Sequence, residues 1–130
     1  MLEIPAGAIE PYENVYETLR REIKEETNLD VVRLVDDYHG EIVEPRANDQ
    51  AFAFKPYICQ QVLATNNGLP WIGFVFLCEV TGEVKIQESE ARDPRWVSLE
   101  ELRAIVEEKP ESVFPVQLPV LKYFVENFKD

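Results

Sequence analysis

The stretch Gly7-Ala8-Ile9-Glu10-Pro11-Tyr12-Glu13-Asn14-Val15-Tyr16-Glu17-Thr18-Leu19-Arg20-Arg21-Glu22-Ile23-Lys24-Glu25-Glu26-Thr27-Asn28-Leu29 decides how the rest of the chain is read. Its second part predicts a helix. Asn14 is a good N-cap, Glu17 three positions on completes a capping box, and Val15, Leu19 and Ile23 recur every four residues as a narrow apolar stripe. Asn28 suits the end of that helix, because asparagine tolerates the left-handed conformation that closes many helices. Ahead of it, Pro5, Gly7 and the Glu10-Pro11 pair mark residues 4–12 as an irregular loop.

Three carboxylates ride on this helix. With Glu22 set at zero and ~100° per residue, Glu25 falls at roughly 300° and Glu26 at roughly 40°, while Val15, Leu19 and Ile23 fall between about 20° and 100°. The acidic arc therefore overlaps the edge of the apolar stripe. A merely solvated face would place the charges opposite, where Glu17, Arg20, Arg21 and Lys24 do lie, between roughly 160° and 260°. Crowding Glu22, Glu25 and Glu26 beside apolar groups is costly unless a cation neutralises them. Oxygen-only ligands favour Mg²⁺ or Mn²⁺ over zinc, and Arg21 is placed to orient one of them.

These residues resemble the Nudix box, whose pattern G-x5-E-x7-R-E-U-x-E-E-x-G-U (U a bulky aliphatic) is met from Gly7 to Leu29 at every defined position except Asn28, where the family has glycine. Asparagine is the next best residue for that left-handed position. The resemblance implies an α/β (α+β) fold, a Nudix-like α/β/α sandwich with a mixed sheet, with residues 1–130 as one domain. It implies that Glu22 and Glu26 are the principal metal ligands, that Glu25 is a further ligand or catalytic carboxylate, and that the backbone carbonyl of Ala6 adds another. Gly7 belongs to the tight turn beside the substrate, and Glu13 and Arg21 orient the ligands. The reaction implied is attack by water on phosphorus, with metal ions activating the nucleophile and stabilising the leaving phosphate. A catalytic glutamate in the loop before the Trp96 segment completes the family pattern, with Glu90 first and Glu88 second.

Ile4-Pro5-Ala6-Gly7 is similar to the entry of ADP-ribose pyrophosphatases, and Pro45 stands at the distance from Leu29 at which that subgroup carries a proline. ADP-ribose or a nucleoside diphosphate sugar is therefore the leading substrate class. Arg46 is a candidate phosphate contact, and Tyr12, Phe52, Phe54 and Trp71 are aromatic residues able to stack on a base, although core or rim packing is the better account of each. In the family the box follows several strands, whereas here it begins near Met1, so the fold is expected to be N-terminally truncated and its open sheet edge to favour a homodimer or larger homo-oligomer. The same departure keeps an alternative open, a catalytically weak Nudix-like module that binds a nucleotide or a partner. Three crowded carboxylates argue against it.

Elsewhere, residues 31–43 read as one or two strands broken at His39-Gly40, residues 45–50 as loop, and residues 51–64 as extended up to a turn at Thr65-Asn66-Asn67-Gly68. His39 is expected to be structural. Trp71 to Val80 is almost wholly apolar and predicts a central buried strand. Arg95-Trp96-Val97 predicts a short strand, Ser98 and Glu101 a capping box for a helix that Pro110 ends, and Leu118-Pro119 the start of a last helix. Cys59 and Cys78 lie in apolar stretches and are expected to be buried reduced thiols. A net charge of −12, with 13 basic residues and no basic block, disfavours nucleic acid as partner. No window is apolar enough for a membrane span and no leader is recognisable at Met1, so the expected setting is cytoplasmic.

Overall fold

The computed structural model describes residues 1–35, 38–66, 68, 70–85 and 94–129. Helix α1 spans Val15–Thr27, α2 Leu99–Glu108 and α3 Leu118–Asn127, with single 3-10 turns at Pro110–Ser112 and Pro115–Gln117. The strands are β1 Asp30–Val35, β2 Tyr38–His39, β3 Val43–Arg46, β4 Asp49–Ala51, β5 Phe54–Lys55, β6 Ile58–Val62, β7 Trp71–Val75 and β8 Leu77–Thr81. They pair two by two among the described residues, β1 with β8, β2 with β5, β3 with β4 and β6 with β7. This is an α+β fold of small sheets, as the box implied. The chain divides into two compact units, residues 1–32 with 80–130, and residues 33–79.

The first unit carries the box. Asn14 accepts from the amides of Tyr16 and Glu17, and Glu17 returns a bond to the Asn14 amide, so the expected capping box is complete and contributes about 1 kcal/mol. At the other end Asn28 adopts φ 71°, its amide closing on the Lys24 carbonyl at 2.9 Å and its side chain donating to the Glu83 carbonyl at 3.1 Å. The left-handed position is thus filled by a residue that also ties α1 to the chain after β8. The core of the unit is Val106, Val113, Leu121 and Val125, flanked by Leu2, Ile4, Leu102, Ile105, Leu118 and Phe124. Fully burying one such aliphatic side chain stabilises by roughly 1.5–3 kcal/mol. Leu2 joins this core through a parallel bridge to Val113, its amide bonding Ser112 at 2.7 Å and its carbonyl accepting from Phe114 at 2.8 Å.

Two expectations for this unit need correction. Ser98 does cap α2 by accepting from the Glu101 amide, but the Glu101 carboxylate turns to Arg95 at 3.3 Å instead of returning to the cap. Residues 95–97 form no strand, and Trp96 is exposed. An arginine within reach competes for the carboxylate because a charged partner outbids a neutral amide.

In the second unit, residues 45–50 are not a plain loop. Pro45 and Arg46 lie in β3, Asp49 and Gln50 in β4, and Asn48 turns the hairpin with φ 71°. β6 and β7 run antiparallel from Ile58 opposite Val75 to Val62 opposite Trp71. Phe54 packs edge-on against Phe74 with ring centroids 5.3 Å apart. The buried strand expected over residues 71–80 is broken at Phe76 into β7 and β8, and Trp71, Ile72 and Phe74 are exposed. Its two halves take different partners, and a two-stranded pair has too little cover to bury apolar side chains on both faces. For the same reason Cys59 on β6 is an exposed thiol and Cys78 on β8 a half-buried one, rather than buried as expected. Among the described residues no helix is long and apolar enough to cross a membrane.

Candidate active site

Burial on α1 follows the helical arithmetic. Tyr16, Thr18, Ile23 and Glu26 are the buried positions, so Glu26, 7% exposed, lies in the middle of the packed face. Its carboxylate accepts from the Ala6 amide through Oε2 at 3.1 Å. Glu22 is half-buried and Glu25 exposed. The sequence placed all three at the edge of the apolar stripe, whereas in the structure Glu26 lies within the packed face, Glu22 beside it and Glu25 in solvent.

Arg21 organises the flank of that arc. It clasps Glu13 with Nε on Oε2 at 2.8 Å and NH2 on Oε1 at 3.0 Å, and reaches the Ala8 carbonyl at 3.1 Å. NH1 meets Glu22 at 2.8 Å, Glu25 at 3.4 Å and Glu10 at 3.6 Å. Glu13 in turn accepts from the Thr18 hydroxyl at 2.7 Å and the Glu10 amide at 3.1 Å. Chiefly the Arg21 contact, then the Thr18 hydroxyl and the Glu10 amide, lowers the Glu13 carboxyl to a pKa of about 2. The Arg21 guanidinium is correspondingly raised by Glu13 and Glu22 and stays charged at every accessible pH. The loop of residues 4–13 is thus fastened to the helix by charge-assisted bonds at Ala6, Ala8 and Glu13 and by the ionic contact of Glu10 with Arg21.

Gly7 has a steric reason to be glycine. A Cβ there would overlap the Glu22 carboxylate and its Cγ, so the side chain of Glu22 lies directly against the loop backbone. A cleft of about 590 Å³ opens beside these residues within the first unit, lined by Ile4, Pro5, Glu26, Thr27, Arg95 and Ile105 among others. That volume is of the size that holds a nucleotide-sized ligand.

Residues 1–118 match the family model of the NUDIX domain. The chain belongs to the Nudix family. Nudix proteins act on pyrophosphate bonds in nucleoside diphosphate derivatives, generally with divalent metals such as Mg²⁺ or Mn²⁺. No curated protein and no solved structure matches the chain significantly.

The expected residues fall in three groups. Ala6, Gly7, Glu13, Arg21, Glu22, Glu25 and Glu26 come together around α1 as described. Arg46 stands in the other unit, on β3, exposed and paired with Asp49. Glu88 and Glu90 lie outside the described residues. Among the described residues no three His, Cys, Asp or Glu side chains close into a metal cage, because Glu22 and Glu25 share Arg21 and Glu26 is turned to Ala6. The donor set nevertheless fits a hard divalent cation by its chemistry: carboxylate oxygens only, on one helical arc, with a buried member beside an open cleft.

Two contributors had no signal in the spacing of the box. Thr18, on the buried face, supplies the hydroxyl that completes the Glu13 cradle. Gln117, far along the chain, bonds the backbone of Ile4 just ahead of Ala6. Only folding brings either to its partner.

Proposed function

We propose that this Nudix protein hydrolyses the pyrophosphate bond of ADP-ribose or a related nucleoside diphosphate sugar with the help of Mg²⁺ or Mn²⁺. The observation that carries the proposal is Glu26, a buried carboxylate anchored by the Ala6 amide on the wall of the cleft. Glu22 and Glu26 are assigned as the principal metal ligands, Glu25 as a further ligand or catalytic carboxylate, and the Ala6 carbonyl as an additional donor. When bound, the metal supplies Lewis acidity for the diphosphate and lowers the pKa of the attacking water. Arg21, fixed by Glu13, orients Glu22 and limits repulsion along the arc. Gly7 lets the loop backbone approach that carboxylate. Glu90, with Glu88 as the second choice, is assigned as the loop carboxylate that handles the proton of the attacking water.

The substrate class rests on Ile4-Pro5-Ala6-Gly7 and Pro45, and a cleft of about 590 Å³ is ample for such a ligand. Residues 1–130 are proposed to act as one domain and to associate as a homodimer, for which the exposed Tyr38, Ile42, Val43 and Ile72 offer apolar surface. The test is release of phosphate in a phosphatase-coupled assay over ADP-ribose, other nucleoside diphosphate sugars, dinucleoside polyphosphates and nucleoside triphosphates with Mg²⁺ or Mn²⁺. Turnover of ADP-ribose or a nucleotide sugar, abolished in a folded Glu26→Gln variant, is the expected result. Undiminished turnover in that variant removes Glu26 from the metal site, and silence across the panel from folded protein transfers the lead to nucleotide binding without hydrolysis.

A further inference from the structure

Gln117 ends the second 3-10 turn and opens α3, and it is 6% exposed. Its side chain pairs with the peptide of Ile4 on both sides: Oε1 accepts from the Ile4 amide at 2.7 Å, and Nε2 donates to the Ile4 carbonyl at 3.1 Å. A primary amide used this way imitates one rung of a β-ladder, satisfying a donor and an acceptor together. It follows directly on the Leu2 to Val113 bridge, where the ordinary backbone pairing of this segment stops. Two residues later the Ala6 amide donates to Glu26, and the next residue is Gly7, against which Glu22 lies. The chain from Leu2 to Gly7 is therefore a strap, fixed to the α2–α3 side at one end and to the acidic face of α1 at the other.

We infer that Gln117 is a positioning residue: by fixing the register of Ile4 it sets the Ala6 amide, and through it the Glu26 carboxylate. The energetics favour a specific tie over incidental packing. Removing the Gln117 amide takes the partner from a half-buried donor and a half-buried acceptor of Ile4, so the strap shifts to recover partners and takes Ala6 with it. Groups that orient a ligand in this indirect way commonly change metal affinity or activity by about 10–100-fold when removed.

The experiment uses the whole chain, with Gln117→Met keeping volume without the amide. Amide hydrogen exchange without metal is the first readout: protection at Ile4 and Ala6 is expected to fall at least about tenfold, while amides in the middle of α1 keep theirs within about twofold. Direct titration of Mn²⁺ is the second, with affinity expected to weaken about tenfold. Gln117→Glu covers the case in which the methionine variant fails to fold. Its protonated acid can accept from the Ile4 amide and donate to the Ile4 carbonyl, so Ala6 protection is expected to recover at low pH and to fall when the carboxylate ionises. Loss of protection at Ile4 with Ala6 unchanged overturns the inference, as does a Glu variant whose Ala6 protection factor ignores pH. The Mn²⁺ arm rests on the proposed hydrolase reading. If the wild type binds no Mn²⁺, that reading fails while the exchange arm still decides the role of Gln117.

Discussion

Arg21 and Arg33 each clasp a glutamate through Nε and NH2, at 2.8 and 3.0 Å on Glu13 and at 2.9 and 2.7 Å on Glu79. Taken as pairs they are equivalent, and both glutamates are lowered by their arginine. Their surroundings differ. The Arg21 and Glu13 side chains are 23% and 13% exposed, against 59% and 53% for Arg33 and Glu79. Glu13 also accepts from Thr18 and the Glu10 amide, and Arg21 reaches Ala8, Glu22 and Glu25, whereas the Arg33 pair links two strands in open solvent, where screening leaves little net attraction. Geometry alone does not make an ion pair consequential. What matters is how many other groups depend on the same guanidinium.

The largest effect is expected of Arg21→Lys. A lysine keeps the charge but cannot clasp Glu13 while reaching Ala8 and Glu22, so turnover or Mn²⁺ affinity is expected to fall about 10–100-fold, measured by titration and steady-state kinetics. A loss under twofold would put Arg21 on the same footing as Arg33. Gly7→Ala comes next. The added methyl displaces the Glu22 carboxylate, a flexible end that moves without unfolding the loop, so a loss of about tenfold in metal affinity is expected with little change in melting temperature.

Acid titration separates the Glu13 cradle from an exposed pair. The Glu13 carboxyl, ordinarily near about 4.3, is held at about 2 in the folded chain. A depressed carboxyl contributes stability that is complete above its unfolded value and is lost as pH falls through its folded one. Melting temperature is therefore expected to drop between about pH 4.5 and 2, and to drop less steeply over that window in Glu13→Gln. Equal slopes would show that the cradle around Glu13 is not preserved in solution. The smallest effect is expected of Arg33→Gln, which should leave turnover unchanged and shift the melting temperature by no more than about 2 °C.

Much of α1 was legible in the sequence because its determinants are local. Asn14 and Glu17 cap it and Asn28 ends it, whereas the angular positions put all three glutamates at the edge of the apolar stripe and did not single out Glu26 as the buried one. The strands were less legible. Residues 71–80 look like one buried strand to any reading that sees only their apolarity, and nothing local says that Phe76 separates a partner of β6 from a partner of β1. Residues 45–50 read as a loop, and the hairpin they occupy exists because β3 and β4 found each other. Glu101 illustrates the same limit on a smaller scale, since the capping partner proposed for it was displaced by an arginine.

The family, the helix that carries the box and the carboxylates at the edge of its apolar stripe were legible in the chain alone, because all depend on residues within a few turns of one another. Tertiary structure decided which carboxylate is buried beside a cleft and which distant amide fixes the strap. Those outcomes depend on Ala6 meeting Glu26 across 20 positions and on Ile4 meeting Gln117 across 113. Spacing along the chain carries no information about such pairs, because their energy is gained only once the intervening segments have folded and their loop-closure entropy has been overcome.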